Sequence, residues 1–172
     1  MDEVGVRLPV GPPSFKKIKM RPVIYDTYIK MIQNSVGTKM YRSNFMINGE
    51  GKTDITKDGE LSCAFFVSSV LYHFGLLRSL HASVDGTVKD LEMSGWEKVR
   101  KPKEGSILVW DFETSKNGSH RHVGFYVGGD KAISNSSEKR APEIHQLTFG
   151  EKRGVPVRKI VAMYWKKGLE NK

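Results

Sequence analysis

The sequence predicts an α+β fold in which helices come first and an antiparallel β-sheet follows. Apolar residues recur at helical spacing up to about residue 93, and short β-type runs dominate beyond it. Turn residues join these runs, and residues 128–130 (Gly-Gly-Asp) are typical of a hairpin. Hairpin connections make neighbouring strands antiparallel, so helices packed on an antiparallel sheet are expected.

Three helices are predicted before the sheet. The first covers residues 26–36, with Asp26 as its N-cap, and the third covers 87–93. The second follows Ser62, a good N-cap residue, and runs to about residue 74. It is apolar nearly all round, which is typical of a helix at the centre of a domain. Residues 38–60 are polar and irregular and predict a long loop.

The predicted strands are residues 96–99, 106–110, 122–127, 131–135, 143–149 and 159–165. A polar loop at 114–119 precedes the third of them. His122 is therefore expected to begin its strand, at a sheet end where side chains can line a cleft.

Length and composition indicate one domain. The 172 residues suffice to bury a core, and we expect a monomer with a single domain at 23–168 behind an N-terminal arm at 1–22 rich in Gly, Pro and Lys. The single cysteine excludes an internal disulfide and a multi-cysteine zinc site.

The charge balance favours an anionic partner. Lys and Arg number 28 against 19 Asp and Glu, a formal net charge of +9. The basic residues are dispersed and form no nucleic-acid motif, so no specific nucleic acid is expected. No apolar run reaches 18 residues, and the N-terminus lacks the apolar core of a signal peptide. We therefore expect no membrane span and synthesis in the cytoplasm.

Cys63, the only cysteine, falls in the first turn of the apolar helix. The partial positive charge of a helix N-terminus stabilises a thiolate, so the sequence predicts a reactive thiol with a pKa below about 8.5. The alternative is a buried cysteine that acts as a small hydrophobe.

A cysteine nucleophile needs a histidine base, and five histidines are available. His73 lies too far along the helix, His81 follows the helix, and His145 lies inside a later strand. His122 is the predicted base, with His120 as its competitor on the same strand face. His120 and His122 together could also bind a metal ion, but no Cys or carboxylate has a convincing spacing as a further ligand, so no metal is expected.

Three segments carry a resemblance to a known family: LSCAFFV at 61–67, KEGSILVW at 103–110 and HVGFYVG at 122–128. In this order they resemble the NlpC-type branch of the papain-like cysteine peptidases, over roughly residues 41–165. The chain departs from the family at 62–65, where Ser-Cys-Ala-Phe replaces Asp-Cys-Ser-Gly, and at 105–106, where Gly-Ser replaces Gly-Asp.

The resemblance implies a papain-like fold and hydrolysis of amide bonds in bacterial cell-wall peptides without a cofactor. It implies Cys63 as nucleophile and His122 as base. Tyr41 resembles the family's tyrosine upstream of the nucleophile, and with Ser62 it is predicted to contact substrate. Action on the cell wall would require a release route other than a signal peptide.

The resemblance implies that the group that orients His122 lies on the next strand, about a dozen residues later. Ser134 fits the family's spacing, whereas Asn135 fits the chemistry of Cys–His–Asn sites. Because strand alternation places them on opposite faces, Asn135 would need a one-residue bulge to reach the imidazole. We predict Asn135 as the orienting residue.

Two other functions fit the same sequence. An acyltransferase or a lipid-amide hydrolase would share the fold and the nucleophile. A non-catalytic basic module that binds an anionic polymer would need the charge but not the thiol.

Overall fold

A computed structural model describes residues 21–115 and 118–171. The helices are α1 (Ile24–Asn34), α2 (Cys63–His73), α3 (Val84–Met93) and a 3-10 turn at Leu169–Asn171. The strands are β1 (Phe45–Asn48), β2 (Gly51–Asp54), β3 (Trp96–Lys98), β4 (Ile107–Ser115), β5 (Gly118–Tyr126), β6 (Lys131–Ser136), β7 (Ala141–Gln146), β8 (Glu151–Lys152), β9 (Val155–Pro156) and β10 (Ile160–Lys166).

The main sheet has six strands in the order β3-β10-β4-β5-β6-β7, and every neighbouring pair is antiparallel. The pairs β1–β2 and β8–β9 form separate small hairpins. The predicted α+β class with an antiparallel sheet is confirmed. Within the described residues, no helix has the length and apolar character needed to cross a membrane.

Helix α2 packs against β5 and β6 and forms the centre of the main core. Its Phe66 is fully buried, with its ring centroid 5.3 Å from that of Phe125 on β5. The opposite side of the sheet carries a smaller cluster around Leu108, Trp110 and Ala132. Strand alternation accounts for the two clusters, because successive side chains point to opposite faces.

Several boundaries differ from those predicted. Helix α1 begins at Ile24 rather than at Asp26, and α3 begins at Val84, where the Ser83 side chain accepts a hydrogen bond from the Gly86 N–H. The predicted loop at 38–60 contains the β1–β2 hairpin. Of the predicted arm, all but residues 21–22 lies outside the described residues.

The prediction that His122 begins its strand was wrong. Strand β5 begins at Gly118 because β4 continues to Ser115 and pairs with it. The imidazole therefore projects from within the sheet. A register shift between Trp110 and Glu113 in the β4–β5 pair lies beside it.

Candidate active site

The turn before α2 is organised by one carboxylate. Asp54 Oδ1 accepts hydrogen bonds from the backbone N–H of Asn44 (2.9 Å) and of Thr56 (3.1 Å), and from the Thr56 hydroxyl (2.7 Å). Its Oδ2 accepts one from the Asp58 N–H at 2.8 Å. Burial acts to raise the pKa of Asp54, but these hydrogen bonds outweigh it and hold that pKa well below its usual range. The ionised carboxylate thus fixes the path of the chain toward Cys63.

Replacing Asp54 with alanine is expected to destabilise the fold by about 2 kcal/mol, because several donors lose a charged acceptor. Urea unfolding at neutral pH measures the change. Asp58→Asn is the matched control, since asparagine tolerates the left-handed φ of 52° at this position and the change removes an exposed ion pair with Arg140, worth less than about 1 kcal/mol. Equal losses in both variants would contradict the role assigned to Asp54.

Cys63 is the first residue of α2 and is half-buried. The Val123 N–H of β5 lies close enough to the Cys63 thiol to lower its pKa, so the sulfur lies near the strand that carries His122. The Val123 side chain joins the α2 side of the core, whereas the His122 ring contacts Trp110 on the other side of the sheet. Among the described residues, no hydrogen bond joins the thiol and the imidazole.

The predicted low pKa of Cys63 is corrected by the structure. Burial raises the pKa of the thiol above its ordinary value, and this outweighs the lowering by the Val123 and Ala64 N–H groups and by the Arg158 charge. The helix start acts in the predicted direction, but the desolvation of a half-buried thiolate is larger. The resting thiol is therefore protonated at neutral pH.

Alkylation of Cys63 by iodoacetamide is accordingly expected to reach its half-maximal rate at a pH above the ordinary thiol value of about 8.5. Arg158→Met should move that pH higher, because a nearby cation is lost, while Arg158→Lys should move it less. The measurement is the alkylation rate between pH 6 and pH 10, values that bracket the ordinary thiol pKa of about 8.5. A midpoint below that value would restore the activated-thiolate hypothesis.

The His122 imidazole is held by Ser134. Its Nε2 lies 2.7 Å from Ser134 Oγ, and the same oxygen lies 2.7 Å from Nε2 of His145. The Nδ1 of His145 in turn lies 2.8 Å from the backbone oxygen of Gln146. The register explains this line of contacts: Ser134 pairs with Gly124, two residues from His122, so the two side chains share a face.

Asn135 does not orient His122, which corrects our prediction. The β5–β6 pairing is regular, without the bulge that would bring Asn135 round. Its side chain is buried on the opposite face, where Nδ2 donates to the carbonyl oxygens of Gly59 (2.7 Å) and Ser136 (3.3 Å). Asn135 thus ties β6 to the turn that precedes Cys63.

Aromatic rings enclose the two imidazoles. The Trp110 ring centroid lies 5.6 Å from those of His122 and His145, and the Phe149 ring stacks on His145 at 3.9 Å. Phe149 has a φ of 59°, in the left-handed region that is uncommon for non-glycine residues. This apolar enclosure lowers the pKa of His122 to about 3 and also lowers that of His145, so both rings are neutral at pH 7.

Arg158 places a buried positive charge beside the aromatic rings that enclose the two imidazoles. Only 7% of its surface is exposed, its Nη2 donates to the His120 carbonyl at 3.1 Å, and its guanidinium lies 5.6 Å from the Phe149 ring centroid. Its charge lowers the pKa of the Cys63 thiol and contributes, after burial, to the low pKa of His122. Arg158 therefore acts on both predicted catalytic groups.

The two predicted substrate contacts are buried. Tyr41 packs its ring against Phe65 and Phe66 of α2 and lines a cavity of about 370 Å³ beside α1, together with Lys30. Ser62 occupies the N-cap position of α2, but its side chain makes no capping hydrogen bond. Its Oγ is buried, with no hydrogen-bond partner in the described part of the chain.

The other histidines take no part in this arrangement. His81 Nε2 lies 2.7 Å from Asp90 Oδ2 near α3, and His73 is an exposed ring at the end of α2, packed on Phe74. His120 contributes its backbone carbonyl to Arg158. Over residues 21–115 and 118–171, no group of three His, Cys, Asp or Glu residues could hold a metal ion.

Two site residues escaped the sequence reasoning. His145 was set aside as a residue inside a strand, yet it faces Ala132 across the β6–β7 pair and so shares a face with Ser134. Alternation along β6 and β7 would have shown this once their register was known. Arg158 lies between β9 and β10, where no local pattern distinguishes it.

The fold and these contacts define an α+β protein in which a helix-start cysteine adjoins a strand that carries a half-buried, hydrogen-bonded histidine. No model of a known protein family matches the chain, and no curated protein matches it.

Proposed function

We propose that this protein is a cysteine-dependent hydrolase of amide bonds, with a papain-like arrangement of the NlpC type, that acts on bacterial cell-wall peptides. One observation carries the proposal: the Cys63 thiol at the start of α2 lies near the Val123 N–H of β5, and the neighbouring His122 has its Nε2 at 2.7 Å from Ser134 Oγ. This leaves Nδ1 of His122 as the nitrogen that can take a proton.

The reaction begins from a neutral pair, since burial raises the pKa of Cys63 and lowers that of His122. His122 Nδ1 accepts the thiol proton as the sulfur attacks the amide carbon. Contacts between catalytic groups are often long in a free enzyme and shorten when substrate binds. The imidazolium then protonates the leaving amine, and water activated by His122 hydrolyses the thioester.

The start of α2 supplies the donors for the developing oxyanion. The first N–H groups of a helix have no partner within the helix, and here they belong to Cys63 and the residues after it. Donors fixed in place before reaction are worth more than donors that must reorient. The Arg158 charge favours the same anionic state.

The substrate class rests on the resemblance of segments 61–67, 103–110 and 122–128 and on the net charge of +9, which suits an anionic wall polymer. The test is incubation with purified peptidoglycan and mass analysis of released fragments. A new amine and a new carboxylate at one amide bond support the proposal, provided that Cys63→Ala releases neither. Transfer of the acyl group to an added amine would instead identify an acyltransferase, and no cleavage of any amide would overturn the proposal.

A further inference from the structure

Three side chains on neighbouring strands form a continuous line of hydrogen bonds that ends on a backbone carbonyl. The line runs from His122 on β5 through Ser134 on β6 to His145 on β7, with both links at 2.7 Å, and ends on the Gln146 oxygen at 2.8 Å. We call these four residues the relay.

The carbonyl at the end of the relay fixes the direction of every hydrogen bond in it. A carbonyl oxygen only accepts, so Nδ1 of His145 must carry the hydrogen that points at Gln146. A neutral imidazole has one N–H, which leaves Nε2 of His145 as an acceptor. The Ser134 hydroxyl has a single proton and donates it to that nitrogen. The Ser134 oxygen then accepts from Nε2–H of His122.

The neutral state that this reasoning requires follows from the surroundings. Burial lowers the pKa of both imidazoles, and the Arg158 charge acts in the same direction on each. At His145 the hydrogen bond to the Gln146 carbonyl and the Glu143 charge act to raise the pKa, but burial outweighs them. Stacking on Phe149 holds the His145 ring in the plane that keeps both of its nitrogens engaged.

We propose that His145 is a positioning residue, which acts through Ser134 to hold His122 in the tautomer with hydrogen on Nε2 and a bare Nδ1. Nδ1 is the nitrogen that the proposed function assigns as the base for Cys63, so the catalytic consequence rests on that function. If His122 carried its hydrogen on Nδ1, the Ser134 hydroxyl would donate to His122 and accept from Nε2–H of His145. Nδ1 of His145 would then be bare and would face the lone pairs of the Gln146 carbonyl.

The tautomer can be read without any assay of activity. In protein labelled with ¹⁵N-histidine, long-range proton–nitrogen NMR spectra distinguish protonated from bare ring nitrogens. We expect Nε2–H with bare Nδ1 for His122 and Nδ1–H with bare Nε2 for His145. Hydrogen on Nδ1 of His122 in the native protein would overturn the proposal.

Variants separate the relay from simple packing. His145→Phe keeps a ring against Phe149 but removes the acceptor, and Ser134→Ala removes the link, so either should leave His122 as a mixture of tautomers. His145→Gln offers an oxygen near the former Nε2 and should restore part of the native tautomer. His73→Phe, at the exposed end of α2, removes a histidine elsewhere and should change nothing at His122.

Kinetics connect the tautomer with turnover on wall fragments. His145→Phe should lower kcat in proportion to the fraction of His122 that loses the native tautomer, as measured by NMR, with KM unchanged, because only the native tautomer can act as the base. An unchanged His122 tautomer in His145→Phe would overturn the role of His145, whatever Ser134→Ala does. The native tautomer in a protein that cleaves no amide would overturn the proposed function and leave the relay supported.

Discussion

Replacing Cys63 with alanine is expected to lower kcat/KM on cell-wall fragments by about 10⁴-fold or more, because no other side chain can form the thioester. His122→Ala should cost a similar factor, since the thiol is protonated at rest and needs a base. The double variant should be no more than a few-fold worse than either single one, because nucleophile and base act as one unit.

The measurement is the initial rate of amine release, with far-UV circular dichroism to confirm that each variant is folded. His73→Ala is the control: it removes an exposed histidine near the far end of the same helix and should keep the native rate. Turnover that survives in Cys63→Ala would show that the activity belongs to another group.

The central helix was predictable because its signal is local. Apolar residues all round α2 required burial, and the helix begins at Cys63 as predicted. The cap was not predictable in the same way: Ser62 has φ −94° and ψ 2°, away from the extended conformation in which a serine side chain caps a helix. The hydrogen bonds on Asp54, not a serine cap, organise the approach to the helix.

Asn135 was predicted to orient His122 because of its hydrogen-bonding chemistry, but the strand register decides which side chain faces the imidazole. Asparagine is the better orienting group, but it required a bulge, and the β5–β6 register is regular. Alternation alone therefore selects Ser134, and the relay to His145 compensates for the shorter side chain by fixing the direction of its hydroxyl.

The thiol pKa could not be obtained from sequence because two opposing effects act on it. The helix start is visible in the sequence and lowers the pKa of Cys63, whereas burial depends on how α2 packs on β5 and raises it more. The position of Arg158 could not be predicted from the sequence either, because it depends on the path of the chain between β9 and β10.

Gly124 lies at a position in β5 where any side chain would disturb both the β5–β6 pairing and the relay. It lies opposite Ser134 in the β5–β6 pair. A Cβ at this position would come within 2.6 Å of both the Ile133 carbonyl oxygen and the Ser134 Cβ. Real Cβ atoms do not approach so closely, so β5 and β6 would have to separate at the point where Ser134 contacts His122.

Gly124→Ala is therefore expected to destabilise the fold by about 3 kcal/mol, at the upper end of overpacking costs in a buried site, and to weaken the contact between His122 and Ser134. Gly49→Ala is the matched control, because a Cβ there has open space and φ is not left-handed, so its effect should stay within about 0.5 kcal/mol. Urea unfolding gives both values, and NMR of the His122 ring reports the local change. Equal stability of the two variants would mean that β5 and β6 can separate at Gly124 without cost, contrary to the close packing of strands in this sheet.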